Sequence, residues 1–260
     1  MNILIIDGWT KDGNQDHYRA GCVRQTEVFE ALIKDTLPGS KIHTICTDRP
    51  ESSSAVGLDV YDAAVWTGGG GNIYLNNAFN REQLALCERV LAKVPYFWGS
   101  CWGLQVVVTV FGGLVTKALV PEIGIARKIV RCPTTISHDL FQGKPNTFDA
   151  PAHHADEVSR LPSGFEILAE NDVTMQVIES VDRKIFCTQY HPELGYDYLR
   201  KLLEYWRPNY TKLFTEIELQ QLLQDLTTKE HKEGSLRKIE LQNWLKLTAQ
   251  NIAFTGCGKA

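Results

Sequence analysis

The chain has no C-x-x-C pair, no long apolar run and no basic stripe, and each absence removes a class of function. Seven cysteines among 260 residues, an odd number without paired spacing, argue against a disulfide framework. The missing C-x-x-C leaves no zinc signature, so no metal is expected. No apolar stretch approaches the roughly 20 residues that a membrane-spanning helix needs, so no membrane contact is expected. The balance of 27 Lys and Arg against 31 Asp and Glu, a net charge of -4, gives no electrostatic case for nucleic acid. The opening residues Met1-Asn2-Ile3-Leu4-Ile5-Ile6-Asp7 lack the basic region and cleavage site of a signal peptide and read as a first strand. With free thiols and no leader, the expected compartment is reducing, hence cytoplasmic. No internal repeat or low-complexity segment is evident.

What is present is an alternation of apolar strands and amphipathic helices, the pattern of a mostly parallel sheet covered on both faces. Strands are expected at Ile3–Ile6, Lys41–Cys46, Ala63–Trp66, Phe97–Cys101, Phe165–Ala169, Thr174–Ile178 and Ile185–Gln189, with helices at Val28–Leu37 and Arg81–Lys93. The stretch Cys132 to Pro162 reads as loops and short strands that cover a site. The fold class is therefore α/β, a doubly wound, flavodoxin-like sheet, and such sheets bind ligands beyond the carboxyl ends of their strands.

Two motifs fall at those ends. In Gly99-Ser100-Cys101-Trp102-Gly103-Leu104-Gln105 a cysteine sits between two glycines, where an apolar run ends and another begins. A sharp strand-to-helix turn needs such small neighbours, and the helix N-terminus behind it favours thiolate over thiol. Cys101 is thus a candidate nucleophile; the alternative is a buried structural thiol, the reading given to Cys22, Cys46, Cys87, Cys132, Cys187 and Cys257. A nucleophile needs a base. Among seven histidines, His43 and His138 have no acidic neighbour arranged to orient them, and His231 lies in a charged run. His191 follows a strand-like run and begins His191-Pro192-Glu193, with proline fixing the chain and Glu193 in reach of the imidazole. A nucleophile, a base and an acid orienting the base make a triad. A third segment, Thr67-Gly68-Gly69-Gly70-Gly71-Asn72, also ends a strand and can expose backbone N–H groups to an anion; without a following Gly-Lys-Ser/Thr it is no P-loop.

Together these motifs resemble the class I (triad) glutamine amidotransferases, with G-x-C-x-G-x-Q at the elbow and H-P-E after a late strand. Asp139-Leu140-Phe141-Gln142-Gly143-Lys144-Pro145, His154-Ala155-Asp156-Glu157-Val158 and Leu161-Pro162-Ser163-Gly164-Phe165 are similar to the amidotransferase domain of GMP synthase, and the likeness runs from Met1 to Trp206. The resemblance implies a Cys101-His191-Glu193 triad and an oxyanion hole of the Gly69 and Trp102 N–H groups. It further implies substrate contacts from Gln105, Gly68 and His154, and no cofactor. His153 stands where the family has serine; for His153 and His154 packing roles are the alternative. Glu122-Ile123-Gly124 is a candidate pocket wall. The glycine loop departs from the family, which carries serine or proline within it.

Residues 1–206 are thus expected to form the amidotransferase domain, and 207–260 a C-terminal helical extension, too short for a second catalytic domain. The extension reads as helices over 211–228 and 236–251, packed on the core or covering a dimer or partner surface. Three functions follow. The leading one is a stand-alone amidotransferase that hydrolyses L-glutamine through a cysteine thioester and supplies ammonia to an acceptor or synthetase protein. The alternative is a hydrolase of γ-glutamyl amides or peptides, favoured by an open leaving-group side of the pocket. The third, a non-catalytic binding protein, is opposed by the intact Cys101, His191 and Glu193.

Overall fold

The computed structural model describes residues 1–46 and 57–256; Cys257 lies outside them. Nine strands form one sheet in the order β2-β1-β3-β4-β9-β8-β7-β5-β6. They are β1 (Asn2–Gly8), β2 (Lys41–Cys46), β3 (Ala63–Gly69), β4 (Tyr96–Ser100), β5 (Leu114–Arg131), β6 (Thr147–Arg160), β7 (Phe165–Glu170), β8 (Met175–Ser180) and β9 (Ile185–Thr188). The half from β2 to β9 is parallel, and β8, β7, β5 and β6 continue it antiparallel.

Inside the edge strand β2, the parallel half is covered on both faces, which is why β1, β3 and β4 are largely buried apolar runs rather than alternating ones. Ile3, Leu4, Ile5 and Ile6 are all fully buried. Ile3 and Ile5 face α2 (Gln25–Thr36) through Phe29 and Ile33, together with the last helix, α7 (Ile239–Gly256), through Leu241, Trp244 and Leu245. Leu4 and Ile6 face the opposite layer, where α3 (Ala78–Leu91) supplies Leu86 and Val90 and α4 (Trp102–Val110) supplies Leu104 and Val106 to Val108. A third cluster joins α5 (Tyr196–Tyr205) and α6 (Glu216–Glu233) to Ile123 and Ile125 of β5. No described helix is long and apolar enough to cross a membrane.

Two departures from the sequence expectation have physical reasons. Cys132 to Pro162 was expected as loops and short strands, yet Thr147–Arg160 of it form one 14-residue strand, β6, paired antiparallel with β5, for which no strand was expected. Its alternation is hidden by register shifts at Lys117/Glu122 and Ala126/Ile129, around Pro121 and the positive-φ Lys128; bulges of this kind admit proline and flip the facing side chains. A short helix α1 (Lys11–Arg19) is also present, without an apolar stripe: its buried residues are Asn14 and His17, and Thr10 caps it by accepting from the Gly13 N–H. The extension helices start later than expected. Thr215 makes a capping box with Glu218, and Ile217 is exposed while Leu219, Leu222, Leu223 and Leu226 are buried.

The central strand β4 lies between β3 and β9. Chain segments leaving the carboxyl ends of these three neighbours carry Cys101, the glycine loop and His191, so the topology alone brings them together. At the end of β4 the chain turns so sharply that a Cβ on Gly99 would lie 2.7 Å from the Gly103 carbonyl carbon, and one on Gly103 2.8 Å from the Trp66 oxygen. Gly99→Ala therefore overpacks backbone against backbone. It is expected to cost about 1–3 kcal/mol in urea unfolding; an unchanged midpoint would mean the turn has slack.

Candidate active site

Cys101 sits in the turn with φ 50 and ψ -97, one of three non-glycine residues with positive φ among those described. Such backbone costs on the order of 1–3 kcal/mol and persists only where surroundings impose it. Here they do: the Cys101 N–H donates to the Thr188 carbonyl at 2.7 Å, and its own carbonyl accepts from the Gln105 N–H in the first turn of α4. The thiol lies at the helix N-terminus, 3.9 Å from the His153 carbonyl oxygen, and interacts electrostatically with His191.

His191 is buried, with Nδ1 2.7 Å from Glu193 Oε1. The other carboxylate oxygen accepts from Ser100 Oγ at 3.0 Å, and Ser100 Oγ accepts from Trp98 Nε1 at 3.0 Å. A connected row of hydrogen bonds thus runs Trp98–Ser100–Glu193–His191 through the buried end of β4. Burial works against an imidazolium at His191, but the negative charges of the Glu193 carboxylate and of Cys101 in its thiolate form outweigh it and hold the imidazole up at about 10. The neighbouring histidines go the other way. Burial, then the charge of His191, lowers His17 to about 4 and His153 to about 3, so both stay neutral.

The glycine loop is held from outside, which compensates for its lack of serine or proline. Thr67 Oγ1 accepts from the Gly8 N–H at 2.9 Å and donates to the Gly68 carbonyl at 2.7 Å. Because a trans peptide sets N–H opposite C=O, this latch fixes the direction of the Gly69 N–H. Asp156 grips the far end, accepting from Asn72 Nδ2 at 2.8 Å and from the Tyr74 hydroxyl at 3.2 Å. A Cβ on Gly69 would lie 2.4 Å from the Gly8 oxygen and 2.6 Å from Trp102 Cγ, so only glycine brings this loop against the elbow. Trp102 is pinned in turn by its indole N–H on Gln83 Oε1, which also accepts from Trp66.

A cavity of about 670 Å³ opens beside the thiol, lined by Cys101, Gly69, Trp102 and Gln105 among others. Of the remaining sequence candidates, Gly68 is not among its lining residues: a Cβ there would meet His191 Cε1 at 2.5 Å, so it backs the imidazole instead. His154 borders the cavity, but both ring nitrogens are taken, by Glu122 Oε2 at 3.0 Å and the Asp156 carbonyl at 2.9 Å. That geometry is the packing alternative, a brace between β5 and β6. Within Glu122-Ile123-Gly124, Ile123 lines the cavity, while Glu122 is tied to His154, Asn171 and Gln176 and Gly124 packs on Leu222. His138 does have an acidic partner, Glu179 at 2.8 Å, which its sequence neighbours did not disclose. Burial raises the thiols of Cys22, Cys87 and Cys187, in keeping with their structural reading. Among the described residues no three His, Cys, Asp or Glu side chains converge as ligands for an ion.

Sequence reasoning missed the opposite wall. Trp9, His153, Trp206, Tyr210 and Leu213 all face the cavity. The His153 ring lies 5.6 Å from Trp206, and its Nε2 is 2.6 Å from the Tyr210 hydroxyl. These wall residues come from three distant parts of the chain, Trp9, His153 and the stretch 206–213, so although His153 was noted where the family has serine, nothing local marks the three as one wall. Ser100, by contrast, stood beside Cys101 and was readable as a hydroxyl at the elbow.

The family model for class-I glutamine amidotransferases matches residues 39–198. The chain belongs to this family. A γ-glutamyl-L-1-hydroxyisopropylamide hydrolase from a Pseudomonas species is 29% identical over 205 residues, covering 76% of this chain and 69% of that protein. A glutamine-hydrolysing GMP synthase subunit of Methanocaldococcus jannaschii is 35% identical over 106 residues, covering 40% of this chain and 54% of that protein. In fold, a glutamine amidotransferase from Thermotoga maritima superimposes with a TM-score of 0.71 at 20% identity, over 95% of this chain and 97% of that one. One from Methylobacillus flagellatus does so at 0.68 and 17%, over 94% of each chain.

The charge arrangement around His191 is directly measurable. Because Glu193 favours the protonated ring, the imidazole of His191 is expected to titrate near 10 by NMR. In Glu193→Gln that support is gone and burial dominates, so the midpoint falls toward or below the free value of about 6.5. The raised value also means that this pair stabilises the fold fully below about 6.5 and progressively less as pH climbs toward 10. A variant titrating unchanged would mean that Glu193 does not hold the ring's proton.

Proposed function

We propose that this protein is a cysteine-dependent hydrolase of γ-glutamyl amide bonds, with N-substituted γ-glutamyl amides as the favoured substrates and glutamine as the smallest member of the class. The carrying observation is the cavity of about 670 Å³ at Cys101. That volume lies in the range of sites for drug-sized ligands, about 300–1,000 Å³, and far exceeds what glutamine fills. Its additional wall of Trp9, Trp206, Tyr210 and Leu213 is apolar and aromatic. Glutamine's charged head group has no use for such a wall, whereas an organic amine leaving with the γ-nitrogen does. The Pseudomonas hydrolase, which acts on a γ-glutamyl amide with an organic amine part, supports the same reading and aligns over most of both chains.

In the proposed reaction the Cys101 thiolate attacks the γ-carbonyl carbon. The developing oxyanion is met by the N–H groups of Gly69 and Trp102, and donors so preorganised are worth on the order of 100- to 1,000-fold each in turnover. Collapse breaks the C–N bond, and His191, protonated and oriented by Glu193, gives its proton to the departing amine. Water, deprotonated by the now neutral His191, then attacks the γ-glutamyl thioester, releasing glutamate and restoring the Cys101 thiolate beside a protonated His191. Gln105 at the cavity edge is the proposed contact to the glutamyl moiety.

With glutamine as substrate the same steps release ammonia. The likeness to the Methanocaldococcus GMP synthase protein supports a second reading, in which a separate acceptor protein consumes that ammonia. Release of glutamate from glutamine and from N-alkyl and N-aryl γ-glutamyl amides separates the two. The hydrolase reading expects kcat/KM for the substituted amides to exceed that for glutamine by about 10-fold or more. Cys101→Ala should abolish release, by more than about 1,000-fold. A preference for glutamine would favour ammonia supply, and turnover of neither class, or turnover surviving Cys101→Ala, would overturn the proposal.

A further inference from the structure

Residues 236–245 do more than fill space on the sheet, because they grip the base-bearing turn from both sides. Arg237 Nη1 donates to the Pro192 carbonyl at 2.7 Å and to the Glu193 carbonyl at 2.9 Å. On the other side of His191, the Tyr190 hydroxyl donates to Glu240 Oε1 at 2.6 Å. Glu240 is itself locked by Lys144, whose Nζ reaches its second oxygen at 2.5 Å and the Arg237 carbonyl at 3.2 Å. A third grip comes through β4: the Trp244 ring packs at 5.6 Å on Trp98, whose indole N–H holds the Ser100 hydroxyl that donates to Glu193. Tyr190, Trp98, Lys144 and Glu240 are all buried. Residues 190, 192 and 193 are thus each fastened to the C-terminal segment, with His191 between them.

We propose that Arg237 and Glu240 are positioning residues for His191 and Glu193, so that the C-terminal helix is a working part of the active site rather than an appendage to it. This rests on the reading of Cys101, His191 and Glu193 as the reacting triad. The physical reason is reach. The turn lies beyond the last residue of β9, Thr188, and its proline removes one N–H, so its own carbonyls are what an outside donor can hold. A half-buried guanidinium spanning two successive carbonyls fixes the peptide between them, and with it the direction of the Glu193 side chain. Small misplacement of an acid–base pair is costly: about 1 Å can lower turnover on the order of 100-fold.

The test uses the full-length chain with Arg237→Lys, Arg237→Met and the milder Tyr190→Phe, which removes one hydroxyl. Two readouts are compared with thermal unfolding of the same samples. One is kcat and KM for a γ-glutamyl amide; the other is the rate of iodoacetamide labelling of Cys101, assigned by peptide mass mapping at neutral pH. Arg237→Met is expected to lower kcat on the order of 10- to 100-fold with KM nearly unchanged, and to slow Cys101 labelling. Arg237→Lys, which keeps the cation and a donor, should recover much of both, and Tyr190→Phe should lie between wild type and Arg237→Met. Folded variants that keep wild-type kcat and labelling rates would overturn the proposal, as would a loss confined to KM or explained by unfolding. If the wild type cleaves no γ-glutamyl amide, the functional reading fails by itself, and the labelling rates still decide whether the helix sets the thiol's reactivity.

Discussion

The structure turns on the approach of two glycines. A Cβ on Gly99, at the end of β4, would strike the Gly103 carbonyl, and one on Gly103, in the first turn of α4, would strike Trp66; within that turn Cys101 takes φ 50. Everything else at the site is arranged around the thiol so presented. The parallel order β3-β4-β9 supplies the glycine loop on one side and the His191 turn on the other, and the helix dipole of α4 points its positive end at Cys101. The strain at Cys101 is held by a backbone hydrogen bond to β9, so the elbow and the strand leading to the base are joined at the point of greatest constraint.

Charge is treated differently on the two sides of the thiol. Toward His191 stands a carboxylate, Glu193, and the imidazole is held protonated well above the free value. Toward the cavity, burial keeps His153 neutral, as it does His17, whose ring packs 4.5 Å from Trp9. In the proposed reaction this gives one proton donor at a defined atom, faced by neutral imidazoles. His153 occupies a place where the resembled family has serine, and its hydrogen bond to Tyr210 ties that wall to the segment after α5. The cavity's size and its aromatic face are therefore products of residues outside the triad motifs, which is where family members sharing the same chemistry would be expected to differ in substrate.

How much was legible in the sequence follows from distance along the chain. Gly99-x-Cys101-x-Gly103 and His191-Pro192-Glu193 are local patterns, each stating its own geometry, and the structure brings both to neighbouring strand ends. The four-glycine loop was legible as a place for exposed N–H groups, but its rigidity was not, because the Asp156 that anchors Asn72 lies on the distant β6. Strand β5 went unread because bulges around Pro121 and Lys128 break the two-residue period that identifies strands, and its partner β6 was read only as part of a region of loops and short strands. Arg237 fell unremarked in the helix expected over 236–251, and only the fold shows it holding the carbonyls of Pro192 and Glu193. Long-range hydrogen bonds leave no local periodicity, and in this chain they supply most of the site's support.

The proposed chemistry requires Cys101 to carry the γ-glutamyl group between amide cleavage and hydrolysis. That step is open to rapid acid quenching of the protein during turnover of a γ-glutamyl amide, followed by intact-mass and peptide mass spectrometry. A population of chain heavier by one γ-glutamyl group is expected, mapped to Cys101 and absent in Cys101→Ala. Turnover that proceeds with no acyl adduct at any point of the time course, or with the adduct on another residue, would contradict it.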